Sequence, residues 1–432
     1  MCDTILPEQM FGKKVEPMAQ RIILHCDLNN FFASVECIDH PEWKSVPMAV
    51  CGSVEERHGI VLAKNEKAKN FGVKTAETVW QAQTKCPQLV IAPPHYDKYV
   101  HYSKAVRAIY ERYTDRVEPF GMDECWLDIT GSTLLFGGGE KIAYEIKEQV
   151  KKELGLTISV GVSFNKVFAK LGSDLKKPDA VTVIDKAHFK SIVWPLPVQE
   201  MIGVGKATKK RLDSIGISTL GELAQTEPRL LQLTLGKAGE QLRLAAAGKD
   251  SSPVLSKSEI PPAKSFGRSI TCARDLRTNE EVAAVMLSLT EKVAASLRKN
   301  NVMATLVQIH IRDANFIVRE CQAPLSQPTR IVEMLFSLGM ELFSKAWDWD
   351  CSVRSIGIRA CELVEEKCFS QYSLFYSSSR YEKLEKLEAQ VFKICEKFGK
   401  DAVFHAAAMN IPAAKNDTPA MTDVRFMAKI QD

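Results

Sequence analysis

Three carboxylates stand where strand ends would gather them: Asp27, leaving the apolar run 21–26, and the adjacent pair Asp123-Glu124, which follows the turn 118–121 and enters the run 125–129. Oxygen ligands of this kind suit a hard divalent ion such as Mg²⁺. Two such ions about 3.5–4 Å apart stabilise the attacking and leaving oxygens of an in-line phosphoryl displacement. An acidic dipeptide in a chain of 432 residues is, on its own, most simply a solvated surface pair. Asp128 makes the same case more weakly, because two-residue alternation keeps it on the face of Glu124 but deeper in the strand.

Other chemistries lack a starting point. Gly203-Val204-Gly205-Lys206-Ala207 imitates part of a phosphate loop, but the full pattern needs glycine where Glu200 stands and Ser or Thr where Ala207 stands. The eight histidines show no H-E-x-x-H spacing and there is no G-x-S-x-G elbow, which leaves metalloprotease and serine-hydrolase readings unsupported. Gly137-Gly138-Gly139 reads as a flexible turn. The stretch Ile202-Gly203-Val204-Gly205-Lys206, followed by Lys209, Lys210 and Arg211, reads as a glycine hairpin between short helices. Such a turn offers backbone N–H groups to a DNA phosphate without reading its sequence. A plain helix-turn-helix packing corner is the alternative.

The elements that must hold these residues alternate in type. A short strand over 21–26 is followed by a helix carrying Phe31, Phe32, Val35 and Cys37, then strands near 47–51 and 60–63. Tyr99, Tyr102, Val106, Ile109 and Tyr113 recur three and four apart and predict a helix over 96–117. Strands are predicted at 125–129 and 156–160 with a helix at 141–154 between them. This order implies an α+β sheet rather than strict βαβ winding. Strand signals vanish over 186–250, and the Ser/Pro-rich stretch 251–264 has the composition of an interdomain linker. Beyond it, Thr278 and Glu281 form a capping box before a helix to 299, and Val307, Ile309 and Ile311 alternate with polar residues. A helix over 328–347 and a strand over 352–360 complete a β-α-β-β-α-β order. The helix predicted over 380–398 carries the charged run 382–388, most simply a solvated face.

The length suggests two to four domains, and 45% hydrophobic with 25% charged residues excludes a disordered, collagenous or disulfide-scaffold chain. No run approaches a membrane span, and residues 1–20 lack the basic and apolar regions of a signal peptide, so a soluble protein of the cell interior is expected. The twelve cysteines lie singly, which fits free thiols. The net charge is only +4, but 186–264 carries 12 Lys/Arg against 7 Asp/Glu and 265–361 carries 12 against 10. Ordinary scatter explains this as well as a polyanion grip joined to a carboxylate-bearing core does.

Four ordered blocks resemble the Y-family, translesion DNA polymerases, of the bacterial polymerase IV type: CDLNNFFASVE from Cys26, NEKAKNFGVK from Asn65, GMDECWLDIT from Gly121 and VGVSFNKVFAKLGSDLKKPD from Val160. The resemblance runs from about Arg21 to Ala360. It implies an α+β, right-hand polymerase with a palm (21–30 and 95–185), fingers (31–94), a helix-hairpin-helix thumb (186–251), a linker (252–264) and a β-α-β-β-α-β little finger (265–361). Residues 1–20 would be an extension and 362–432 a tail. The implied activity is template-directed, low-fidelity addition of dNTPs to a primer 3′-hydroxyl in DNA damage tolerance and repair. Asp27, Asp123 and Glu124, helped by the carbonyl of Leu28, would hold two Mg²⁺ ions, for which Mn²⁺ can substitute. Phe32 aligns with the steric gate that collides with a ribose 2′-hydroxyl. Lys177 aligns with the triphosphate lysine; Ile60 and Leu62 would roof the nascent pair, and Phe31, Lys69 and, as a substitute for a missing contact, Lys64 would touch the nucleotide.

Gly203, Val204, Gly205, Lys206 and Arg268 would touch primer-template DNA. Gln371, Leu374 and Phe375 resemble the peptide that docks on the sliding clamp. The implied protein is a cytoplasmic monomer without membrane contact. The chain departs from its relatives in the fingers, where Ala63, Glu66 and Lys69 replace a hydroxyl residue, a tyrosine and an arginine; Lys69 keeps charge but not bidentate geometry. This motivates a second reading, a catalytically weak DNA-binding accessory. A two-metal nuclease would share the acidic ligands but leave Phe32 and Lys177 unexplained.

Overall fold

Every residue from Ile23 to Leu28 is buried, because the run is apolar except at His25 and Asp27, and it forms the central strand β1. The computed structural model describes residues 20–55, 57, 59–365, 378–399, 402, 403 and 405. The chain divides into two units, Met1–Phe31 with Tyr99–Ile260 and Phe32–Lys98 with Pro261–Asp432.

In the first unit β1 sits inside a five-stranded sheet with β5 (Val117–Pro119), β6 (Glu124–Asp128), β7 (Ile158–Ser163) and β8 (Val181–Ile184), in the order β5-β6-β1-β7-β8. β1 runs antiparallel to both neighbours. It extends past the expected exit at Asp27, because Leu28 N–H donates to the Asp123 carbonyl and keeps the ladder going. The helix predicted over 96–117 stops at Tyr110. The Thr114 hydroxyl donates to the Asp128 carbonyl and Asp128 N–H to the Arg116 carbonyl, so the following residues become the edge strand β5 instead.

Helices Gly139–Leu154 and Lys166–Leu175 pack on this sheet. Gly137-Gly138-Gly139 is more than a flexible turn: Gly138 occupies the cap position and Gly139 begins the helix, so close to Ile22 that a Cβ would lie 2.6 Å from its Cγ2. Gly161 on β7 lets the second helix approach closely; a Cβ there would fall 1.9 Å from the carbonyl oxygen of Ala169.

Residues 186–250 are helical, including Lys206–Asp213, Leu220–Gln225, Pro228–Leu235 and Lys237–Ala246, around Leu212, Leu220, Leu223 and Leu231. The start of the expected linker is strapped to the five-stranded sheet rather than loose. Val254 is fully buried against Ile23, Trp126 and Ala169, while Arg21 donates to the carbonyl of Ser252 and Arg116 to that of Val254.

The second unit contains two sheets. The smaller has the order β3-β2-β4, from β2 (Met48–Cys51), β3 (Val61–Lys64) and β4 (Val90–Ala92). The larger joins β9 (Ser265–Leu276), β10 (Val302–Asp313), β11 (Val318–Thr329) and β12 (Val353–Glu365) in the order β11-β10-β12-β9. Helices Asn279–Lys299 and Val332–Ala346 cover it. Val307, Ile309 and Ile311 face their core, as the alternation requires. Pro328 belongs to β11, so the second helix begins four residues later than predicted.

Helix Ser378–Phe398 is not simply solvated along its charged run. Glu385 and Glu388 pair with Arg298 at 3.3 and 2.7 Å, Glu385 also pairs with Arg330 at 2.7 Å, and Glu388 accepts from Val332 N–H at the start of a helix. The clamp-peptide residues Gln371, Leu374 and Phe375 and the extension 1–19 lie outside the described residues. No helix among the described residues is long and apolar enough to cross a membrane.

Candidate active site

β1 and β6 bring the acidic residues together by register. Asp27 is the direct partner of Glu124, and His25 that of Trp126, so these four side chains share one face of the sheet. Asp123 precedes β6 in a bend that follows Gly121, whose φ of +90° suits glycine. Asp128, on the same strand, is drawn elsewhere: it accepts from the Thr130 hydroxyl at 2.6 Å and approaches Arg21 at 3.8 Å.

Two lysines meet these carboxylates. Lys177 Nζ lies 2.7 Å from Asp27 and 2.6 Å from Asp174. Lys170 Nζ lies 2.8 Å from Glu124 and 3.5 Å from both Asp27 and Asp174. Helix Lys166–Leu175 places Lys170 one turn from Asp174, and Asn165 caps its start by accepting from Phe168 N–H. Lys177 follows in a turn tied back to β1, since Asp179 N–H donates to Asn29, whose amide donates to Ser159. His25 adds a further contact, 3.1 Å from Glu124. Lys170, His25 and Asn29 were missed as site residues. The signal for His25 is its position two residues before Asp27 on a strand; for Lys170 it is the four-residue spacing to Asp174 on a helix.

The electrostatics follow from crowding. Burial, joined by the charges of Asp27 and Glu124, pushes Asp123 up to about 7. Burial also raises Asp27, with Lys177 opposing it. Burial would raise Glu124 too, but the His25 hydrogen bond and Lys170 prevail and hold it at about 2. Lys177 rises to about 12 because Asp27 and Asp174 outweigh its desolvation.

Among the described residues no three His, Cys, Asp or Glu side chains form a ready-made metal shell. The donor chemistry nevertheless fits a hard cation: three crowded carboxylates with mutually raised or compensated charge are what a divalent ion relieves, and here ammonium groups stand against two of them.

Asp123 gives a pH expectation. Its folded value is above its unfolded one, so its contribution to stability is present below about pH 4 and is lost as pH rises through about 7. In chelator, the melting temperature of Asp123→Asn relative to the wild type is expected to climb from about pH 4 to about pH 7 and to level off above that. Added Mg²⁺ should reverse this by stabilising only the wild type. A difference independent of pH contradicts the buried, crowded carboxyl.

The remaining sequence candidates are placed as follows. Phe31 is buried against Tyr99, ring centroids 6.2 Å apart. Phe32, in the second unit, meets Tyr96 edge-on at 6.0 Å. In that unit Ile60 is exposed and Leu62 half-buried; Lys64 donates to Thr75, and Lys69 pairs with Glu66 at 3.5 Å. Arg268 stands on β9 opposite Ile358. In the first unit Gly203 turns with φ +90°, Val204 is buried in the helical core, and Gly205 precedes the helix that Lys206 begins.

Comparison with known proteins agrees with this architecture. Residues 26–174 match the impB/mucB/samB family, residues 263–374 that family's C-terminal domain, and residues 186–217 the IMS family HHH motif. DNA polymerase IV of Acetivibrio thermocellus is 51% identical over 88% of this chain and 95% of its own length. DNA polymerase IV 1 of Bacillus subtilis is 37% identical over 92% and 96%. A solved Y-family DNA polymerase chimera superposes with a TM-score of 0.71 at 24% identity, covering 80% of this chain and 99% of that one.

The fold is therefore that of an α+β polymerase carrying a helix-hairpin-helix motif. The chain belongs to the Y-family DNA polymerases, in the bacterial DNA polymerase IV group, and is a DNA-directed, translesion DNA polymerase of a metal-dependent family.

Proposed function

We propose that this chain extends a primer 3′-hydroxyl by two-metal phosphoryl transfer, with low fidelity, in DNA damage tolerance and repair. The observation that carries the reading is the cross-strand pair Asp27 and Glu124 beside Asp123, compensated by Lys170 and Lys177. Asp27, Asp123 and Glu124, with the carbonyl of Leu28, would hold two Mg²⁺ or Mn²⁺ ions. Bound there, the ions supply activation of the hydroxyl and charge neutralisation at the departing pyrophosphate. The protein's part is positioning and electrostatics.

In this reading residues 21–30 and 95–185 act as palm, 31–94 as fingers, 186–251 as thumb and 265–361 as little finger. Lys177 offers its charge to the incoming triphosphate, exchanging Asp27 for phosphate oxygens. Phe31, Ile60, Leu62, Lys64 and Lys69 contact the nucleotide, and Phe32 excludes the ribose 2′-hydroxyl. Gly203, Val204, Gly205, Lys206 and Arg268 hold the primer-template, and Gln371, Leu374 and Phe375 dock on the sliding clamp. The working form is a monomer in the cytoplasm.

Chelation is expected to abolish primer extension, and Mg²⁺ or Mn²⁺ to restore it, with two ions bound per chain on primer-template DNA. Extension in chelator, or a single ion at saturation, contradicts the mechanism. The accessory reading gains support from the Glu66–Lys69 pair, which partly neutralises a fingers cation. Clamp and DNA binding without any extension would favour it.

A further inference from the structure

We propose that His25 is a positioning residue of the polymerase site, anchoring one oxygen of Glu124 so that the other is presented to a cation; this rests on reading Asp27, Asp123 and Glu124 as metal ligands. His25 shares the sheet face of Asp27 and Glu124, and its ring has no solvent exposure. Trp126 packs edge-on against it with centroids 5.3 Å apart. Nε2 lies 3.1 Å from Glu124 Oε2, and because an ionised carboxylate only accepts, Nε2–H is the donor. On the ring's other side Nδ1 is 2.8 Å from Ser173 Oγ; with the proton on Nε2, Nδ1 accepts, so the Ser173 hydroxyl donates to Nδ1 rather than to the Lys170 carbonyl 2.7 Å away.

Lys170 Nζ approaches the same Glu124 oxygen, Oε2, at 2.8 Å. Both donors thus make their closest approach to Oε2, so Oε1 is the oxygen the proposal assigns to a cation. Lys170 alone holds the carboxylate loosely, since its ammonium is divided with Asp27 and Asp174. The imidazole, locked between Ser173 and Trp126, supplies the direction that a flexible lysine does not. Outer-shell donors of this kind are worth about 10- to 100-fold in metal affinity or activity.

The test uses the full chain. Mn²⁺ binding by electron paramagnetic resonance, single-nucleotide incorporation, primer-template affinity and melting temperature are compared for wild type, His25→Phe and His25→Gln. His25→Phe keeps a ring against Trp126 and removes both nitrogens, whereas His25→Gln retains an N–H near the position of Nε2. His25→Phe is expected to weaken Mn²⁺ binding and lower kcat by about 10- to 100-fold with DNA affinity unchanged, and His25→Gln to recover most of both. Wild-type Mn²⁺ binding in His25→Phe, or His25→Gln falling as far as His25→Phe, overturns the proposal. If His25→Phe does not fold, Ser173→Ala decides: weaker Mn²⁺ binding at an unchanged melting temperature supports the relay, and unaltered binding overturns it. A wild type that binds no Mn²⁺, or Glu124→Gln that binds it as the wild type does, overturns the metal-ligand reading itself. That failure is distinct from a metal-binding wild type matched by His25→Phe.

Discussion

Asp123→Ala is expected to lower single-nucleotide incorporation by about 10³-fold or more while primer-template affinity stays within about twofold. The asymmetry comes from where each kind of binding energy resides. DNA affinity is collected from many phosphate contacts, and the basic stretch 186–264 carries 12 Lys/Arg against 7 Asp/Glu. Catalysis depends on a few oxygens near the reacting phosphorus. Asp123 is crowded by Asp27 and Glu124 to the point that its carboxyl titrates at about 7. Removing it leaves Asp27 and Glu124 compensated by Lys177 and Lys170, so the fold has no new uncompensated charge. Incorporation measured by rapid quench, with binding by fluorescence anisotropy, checks both halves. Loss of DNA affinity along with activity would contradict the assignment, and full activity would remove Asp123 from the site.

Phe32→Ala is expected to cut discrimination against ribonucleotides by on the order of 10²-fold while leaving incorporation of the matched deoxynucleotide within about tenfold. The ring sits near the start of helix Phe31–Asp39 and is held edge-on by Tyr96, so its place is set by packing. In the proposed gate role, shortening it removes the bulk that would meet a 2′-hydroxyl. Competing ribo- and deoxynucleotide incorporation on one template measures the ratio. An unchanged sugar preference assigns Phe32 to the core alone.

Much of the carboxylate geometry was legible because strands have a period of two. Once 21–26 and 125–129 read as strands, Asp27 and Glu124 had a common environment within reach, and the register places them opposite each other. The same periodicity made Asp128 a candidate, but it could not show that a nearby hydroxyl, Thr130, claims the carboxylate. The helix ending at Tyr110 was read seven residues too long, because Tyr113 keeps the apolar spacing after Thr114 has already begun hydrogen bonding to Asp128. Lys170 and His25 escaped notice because their spacings, four residues from Asp174 and two from Asp27, do not show that both side chains reach Glu124. Glu385 and Glu388 read as solvated for the same reason: their partners Arg298 and Arg330 lie far back in the chain. Within 265–361 the capped helix Asn279–Lys299 and the alternation at Val307, Ile309 and Ile311 announce themselves locally. Strands Ser265–Leu276 and Val318–Thr329, in contrast, were not placed by residue, and the second helix, without a side-chain cap, was started four residues early.

The most direct test of the central claim is single-nucleotide primer extension by the full chain with Mg²⁺ on four primer-templates that differ only in the templating base, each offered one dNTP at a time. The complementary nucleotide is expected to be added preferentially on every template, wrong nucleotides to be added at a readily measured rate, and chelator to stop both. A chain that binds all four primer-templates yet adds no nucleotide with Mg²⁺ or Mn²⁺ would contradict the central claim.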